Sequence, residues 1–200
     1  MFVLALSPKP RSVTDVQAAT ELLWDQLDQV HTHAPFMALS GQLLLGVPHD
    51  AHDAIDAIMR CARLNFCHIG LGVGTLYEPV PAQADLVEGK AQRRALGALE
   101  AATHRGERVP ISVSCGDSDL DLELEGLLRL LGQSVRTRSD AEWAVVDLLT
   151  PGVRGQQKAI AQVLDVTPQA VSAAIVRSGY HDEIDARGGI ARLLELADQL

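Results

Sequence analysis

Aromatic residues are scarce in this chain, at 4% of 200 residues: three phenylalanines, two tyrosines and two tryptophans. A core built from it must be aliphatic, and nucleic-acid binding by stacking bases on a platform of rings is not expected. Cysteine is scarce too. Cys61, Cys67 and Cys115 make no even set and no CxxC pair, so they read as small buried hydrophobes in a reducing cytosol. No apolar run approaches the length needed to cross a bilayer. The apolar N-terminus is short, and its basic residues follow the run instead of preceding it, which suits a strand and not a signal peptide. Positive charge is in deficit: the formal net charge of −9 argues against a general electrostatic grip on DNA or on an anionic membrane.

What remains is ordinary for a globular protein with a sizeable core. The chain is 47% hydrophobic and 22% charged, and its length allows one large domain or two small ones. The apolar run 2–6, closed by Ser7-Pro8-Lys9-Pro10, reads as a buried first strand. Thr14 or Asp15 caps a helix to about His31, with Val16, Ala19, Leu22, Leu23, Leu27 and Val30 as its apolar stripe. Segments 36–40 and 43–47 are separated only by Gly41-Gln42 and form a tight hairpin. A helix over 50–64 follows, then a glycine-dotted strand over 67–77 and an alanine-rich helix over 88–104. Arg93 and Arg94 are expected to face out of that helix, with Arg105 and Arg108 just beyond it as solvated charges. A strand at 109–114, a helix capped by Ser118 to about residue 131, a link over 132–138, a helix at 141–149 and a last helix at 189–200 complete the series. In the 118–131 helix the acids Asp119, Asp121, Glu123 and Glu125 alternate with leucines.

Two histidine-bearing stretches invite a metal. His31 and His33 close the first helix, and His49-Asp50-Ala51-His52-Asp53 opens the second. Acids and caps belong at a helix N-terminus in any case, and neither spacing is that of two ligands one helical turn apart. No metal or other cofactor is expected, and no nucleophile–base pair is apparent.

The most informative stretch is 156–180, QQKAIAQVLDVTPQAVSAAIVRSGY. Ile160, Ala161, Val163 and Leu164 recur at helical spacing, and Asp165-Val166 breaks the pattern. Thr167 is a good N-cap and Pro168 sits at the first helical position, where a missing N–H costs nothing. The second helix, 168–178, should bury Val171, Ala174 and Ile175 and leave Gln169, Ala170, Ser172, Ala173 and Arg177 free, with Gly179 ending it. Between Asp147 and Tyr180 two acids, Asp147 and Asp165, stand against three bases, Arg154, Lys158 and Arg177, so this part carries a net +1. The preceding helix should turn Trp143, Val146 and Leu149 toward the pair.

The run Ala161-Gln162-Val163-Leu164-Asp165-Val166-Thr167-Pro168-Gln169-Ala170-Val171-Ser172 resembles the helix-turn-helix core of many bacterial regulators. In that motif a small residue, here Ala161, lets the helices cross closely, a residue such as Val166 plugs the turn, and the second helix enters the DNA major groove. Three further landmarks are the hairpin Gly41-Gln42-Leu43-Leu44-Leu45-Gly46, the strand Ile69-Gly70-Leu71-Gly72-Val73-Gly74, and Glu88-Gly89-Lys90-Ala91 leading into the Arg- and Ala-rich helix. Together they resemble the SatD family of bacterial proteins, whose first part is similar to the palm of class III nucleotide cyclases and GGDEF domains. The resemblance implies carboxylates at the first-strand end and in the hairpin. Here Ser7-Pro8, Gln42 and Leu43 stand at those places. Mg²⁺ needs anionic oxygens, so palm-type phosphoryl transfer is not expected.

The expected fold is therefore α+β: a ferredoxin-like, palm-like βαββαβ domain with an added αβα piece over 1–117, a connecting helix and linker over 118–138, and a small all-α helix-turn-helix domain over 139–200. The expected function is that of a cytoplasmic regulator, not an enzyme, that binds double-stranded DNA as a homodimer and does not engage a membrane. Gln169 and Ser172, with Ala170 and Ala173, would meet base edges, and Arg154, Lys158, Thr167 and Arg177 would meet phosphates. Gly41, Gln42, Gly70, Gly72 and Gly74 are the candidate ligand positions for a small-molecule or nucleotide effector. Two other readings stay open. One is a nucleotide-binding or metal-dependent enzyme of the cyclase-like fold, with Asp50, Asp53 and Glu88 as available acids. The other is a protein–protein interaction module.

Overall fold

A computed structural model describes residues 1–9, 13–40, 43–106 and 108–200, with the backbone alone at 13–17, 19 and 40. The hairpin turn Gly41-Gln42 lies outside the described residues, as do the side chains of Thr14, Asp15, Val16 and Ala19.

The chain is α+β with one five-stranded mixed sheet. Strand β1 (Phe2–Pro8) lies in the middle of the order β2-β3-β1-β4-β5, flanked by β3 (Leu43–Pro48) and β4 (Cys67–Val73), both antiparallel to it. β2 (Thr32–Ser40) pairs antiparallel with β3, Ser40 opposite Leu43, as the hairpin requires. β5 (Ile111–Ser114) joins β4 in parallel. β1 is a continuous apolar run because both of its faces are covered. Phe2, Leu4 and Leu6 point into one core with Leu23, Ile55, Ile58, Leu124 and Ile190. Val3 and Ala5 point into a second, with Leu45, Val47, Ala91, Ala95 and Leu99. That is the period-two alternation of a strand buried between two layers.

Helices α1 (Val13–Leu27), α2 (Ala51–Leu64), α4 (Ser118–Arg136) and the second half of α8 (Tyr180–Asp198) contribute to the first core. Helix α3 (Lys90–His104) and the short turn Ala84–Leu86 cover the opposite face. α2 is capped as expected: Asp50 accepts from the Asp53 N–H at 2.9 Å. Several boundaries differ from expectation, each for a physical reason. α1 stops at Leu27, so His31 precedes a strand, and Leu22 is half exposed while Leu23 and Leu27 turn inward. β2 starts at Thr32 despite Pro35, which an edge strand with register shifts tolerates. The N-cap of α4 is Asp117, accepting from Asp119 N and Leu120 N, and not Ser118. α4 continues through the segment read as a link, because Val135 reaches the core, and α8 starts at Tyr180, before the expected 189, with Tyr180 and Glu183 buried in its first turn. The core burial outweighs the low propensity of Gly188-Gly189 inside α8.

The alternating acids of α4 have a use that periodicity did not reveal. β5 is an edge strand, and α4 satisfies its open side with side chains spaced four apart. Asp121 accepts from Cys115 N (2.6 Å), Glu125 accepts from Val113 N (3.1 Å), and Arg129 donates to Ile111 O (3.0 Å). Glu125 is buried and also pairs with Arg129 (2.8 Å) and Arg105. An edge occupied in this way cannot recruit a further strand. Arg105 is thus not a merely solvated charge. Neither is Arg94, which turns inward so that Nη1 donates to Val73 O at 2.6 Å. All three cysteines are buried and unpaired. Burial pushes the Cys115 thiol up to about 11, so it stays protonated and unreactive at neutral pH. No single helix among the described residues is long and apolar enough to cross a membrane.

Gly70 and Gly72 are explained by packing. A Cβ on Gly72 would lie 2.0 Å from Ala91 O and 2.3 Å from Ala95 N, and one on Gly70 would lie 2.3 Å from Ala95 O. Helix α3 therefore rests directly on β4. Gly97, on the exposed side of α3, has nothing within 4 Å of such a Cβ. We expect Gly72→Ala to lower unfolding free energy by ~3 kcal/mol, since backbone must shift. Gly97→Ala should raise it by ~0.5–1 kcal/mol by restricting the unfolded helix. Denaturant titrations of the two variants check both signs.

Candidate nucleic-acid interface

Three short helices follow the end of α4. Helix α5 (Asp140–Val146) is opened by a capping box: Ser139 N–H donates to Glu142 Oε2 (2.9 Å) and Glu142 N–H to Ser139 Oγ (3.4 Å). The same backbone and hydroxyl contacts hold the Glu142 carboxyl below its ordinary range, with Arg177 adding to the effect. The loop after α5 is pinned by Gln156, whose amide exchanges hydrogen bonds with Thr150 N and O (2.9 Å each) and donates to Val153 O (2.9 Å).

Helix α6 (Gln157–Leu164) ends at Asp165, whose φ of 52° is left-handed, a conformation Asp adopts more readily than bulkier residues. Val166 N–H returns to Ala161 O at 3.0 Å. Helix α7 (Pro168–Arg177) then starts on the Thr167 cap, where Oγ1 accepts from Ala170 N at 3.1 Å, with Pro168 in the first turn. The chain direction turns by 105° between α6 and the helical run that α7 begins. Val145, Ile160, Ala161, Val171, Ala174 and Ile175 form a separate small core, with Leu149 and Leu164 against it.

This core corrects three side-chain expectations. Val145, not Val146, points into it. Trp143 packs on the main core instead, under the guanidinium of Arg63 at 3.8 Å. Val163 and Val166 are 70% and 46% exposed. The turn is closed by backbone, through Asp165 and the Val166 N–H, so Val166 does not plug it. The buried set of α7, Val171, Ala174 and Ile175, is as expected. Gln169, Ala170, Ser172, Ala173 and Arg177 all lie exposed on its other side, as do Thr167, Lys158 and Arg154 nearby. Ser172 Oγ donates back to Pro168 O (3.0 Å), and Arg177 Nε lies 3.3 Å from Glu142 Oε1.

Sequence reasoning missed the residue that fixes this surface to the rest of the chain. Arg138, expected in a linker, is buried. Its Nε donates to Ser178 O at 2.8 Å, at the C-terminus of α7, and its Nη2 lies 2.5 Å from Glu183 Oε2, an ionic approach off the line of an ideal hydrogen bond. Glu183 continues to Arg187 (2.6 Å), and Arg187 to Asp56 of α2 (3.0 Å), which Arg60 also holds (2.7 Å). Though burial opposes it, the hydrogen bonds from Arg60 and Arg187 keep the Asp56 carboxyl below its ordinary range. Arg63 forms a two-pronged pair with Asp147 (2.7 and 2.8 Å). A lone arginine before an N-cap carries no sequence signal of this kind, because its partner lies 45 positions away.

The other candidate positions fare differently. Gly70 and Gly72 are filled by α3 and offer no ligand space, and the Cβ direction of Gly74 meets Arg94. The close approach of α3 thus accounts for Gly70 and Gly72 without a ligand. Gly41 and Gln42 lie outside the described residues. The end of β1 adjoins hairpin strand β3, Leu6 opposite Leu44, and on its other side β4, Ser7 opposite His68. Ser7, Pro8, Leu43 and His68, which this pairing gathers, include no carboxylate. Burial lowers the pKa of Lys9 beyond them and, with Lys9, that of His68. Compared with known proteins, the chain matches no family model, no curated protein and no solved structure.

Arg138→Met should leave Glu183 buried without its closest cation and cut the tie to α7. We expect a loss of ~3–5 kcal/mol in unfolding free energy. Arg138→Lys should recover only part of it, because a point charge cannot serve both acceptors. Chemical denaturation of the two variants tests the claim.

Proposed function

We propose that the chain is a DNA-binding regulator in which α6 and α7 act as a helix-turn-helix and the sheet serves as a catalytically degenerate scaffold. The observation that carries this reading is the exposed side of α7. Gln169, Ala170, Ser172 and Ala173 project away from the protein on a helix that is capped, backed by its own small core and free of covering elements among the described residues. Side chains at the N-terminal half of such a helix suit base edges, while Arg154, Lys158 and Arg177 suit flanking phosphates.

The strand order, with β1 between β3 and β4 and every neighbour antiparallel among the first four strands, supports a ferredoxin-like βαββαβ arrangement extended by α3, β5 and α4. That arrangement and the resemblance to SatD proteins favour a palm-derived scaffold. The absence of carboxylates from Ser7, Pro8, Leu43 and His68 is why we assign it no phosphoryl transfer. The protein would act as a homodimer, with two copies of α7 roughly 34 Å apart in successive major grooves. A second reading has its own support. Val163, Val166 and Val176 are all exposed, Val176 at 79%, and such valines suit a protein partner.

Selection of bound fragments from genomic DNA, followed by anisotropy titrations on the enriched duplex, tests the proposal. Gln169→Ala should cost ~1–3 kcal/mol and relax sequence preference. Arg177→Ala should weaken all sequences and reduce the salt slope by about one. If no fragment is enriched at low salt, or both variants bind as the parent does, DNA recognition by α7 is wrong and the protein-partner reading stands.

A further inference from the structure

We propose that the end of the sheet beside α2 binds a divalent zinc-class cation through His31, His49 and Asp53. In sequence these residues belong to two unrelated stretches, neither with ligand spacing. The fold brings them together. β2 and β3 pair at Thr32 and Pro48, and His49 N–H donates to His31 O at 3.1 Å, so the residues just outside the two strand ends are neighbours. Asp50 caps α2 through the Asp53 N–H, which sets Asp53 in the first turn of α2, and its carboxylate lies beside His31.

The donor atoms of His31, His49 and Asp53 all lie within 4.8 Å of one another. His31 Nδ1 is 3.4 Å from Asp53 Oδ2. Donors bound tetrahedrally at zinc distances are separated by about 3.4 Å, so one pair already has the spacing and the others need a shift on the order of 1 Å. The rings add an independent observation. His31 and His49 have centroids 4.3 Å apart, and His33 stacks on His49 at 4.5 Å. Two imidazoles beside a carboxylate make a donor set that suits a borderline cation better than Mg²⁺ or Ca²⁺. The fourth position is left to water. The two imidazoles and the carboxylate come from the residue before the edge strand, the residue after its neighbour and the first turn of α2, so a bound ion would clamp this end of the sheet to the helix.

Untagged protein titrated with Zn²⁺ by calorimetry, with thermal unfolding read in parallel, decides the matter. We expect saturable binding of one ion per chain, a Tm that rises with zinc, and reversal by a chelator. His49→Ala and His31→Ala should each weaken binding at least about tenfold, since even residues one shell further out are worth that much. His52→Ala, a histidine three positions from His49 and outside the cluster, should change neither affinity nor the Tm response. All three positions are exposed, so the variants should fold, which circular dichroism checks. Absence of stoichiometric binding, or an equal loss in His52→Ala, would overturn the proposal. Neither result bears on DNA recognition by α7, which uses other residues.

Discussion

The orientation of α7 depends on one buried cation. Arg138 stands between the end of α4 and the start of α5, and it reaches the last carbonyl of the α7 C-terminus and the carboxylate of Glu183 in α8. Removing a guanidinium and a carboxylate from water is costly, and the cost is offset only when both are fully engaged. Here Glu183 is shared with Arg187, and Arg187 with Asp56 on α2. The charges thus form a chain from the α7 terminus to a helix of the main core. A small three-helix unit with a core of six buried apolar residues gains from this a fixed angle to the sheet, and its outer helix keeps one side in solvent.

The sheet solves a related problem at its other margin. An open parallel edge strand exposes N–H and C=O groups that a stray chain could pair with. α4 supplies Asp121, Glu125 and Arg129 in their place, at the four-residue spacing that puts side chains on one face of a helix. The same helix buries Leu124, Leu128, Leu131 and Val135 against the first core. Two sets of residues at helical spacing therefore make two contacts, an apolar one with the core and a polar one with the strand edge, while Asp119, Leu122 and Glu123 face solvent.

Local signals were legible in the sequence and distant ones were not. The helices α6 and α7 could be read from Thr167, Pro168 and the spacing of Val171, Ala174 and Ile175, because caps and amphipathic spacing act within one or two turns. β1 and the hairpin strands were readable from apolar runs and a two-residue gap. The exposure of Val163 and Val166 was not, since helical periodicity gives a face without saying how wide a partner covers it. The inward turn of Arg94, the burial of Arg138 and the meeting of His31 with His49 depend on strand register and on residues tens of positions apart. The glycines of β4 read as room either for a close neighbouring backbone or for a ligand, and at Gly70 and Gly72 the packed backbone of α3 takes that room.

The central claim is that the exposed side of α7 is the surface that meets DNA. Amide chemical-shift mapping of isotopically labelled protein with a duplex recovered by genomic selection addresses it residue by residue. The account predicts perturbations concentrated between Thr167 and Arg177 and around Arg154 and Lys158, with the sheet and α3 unaffected. Perturbations centred on the sheet, or none at saturating duplex, would contradict it.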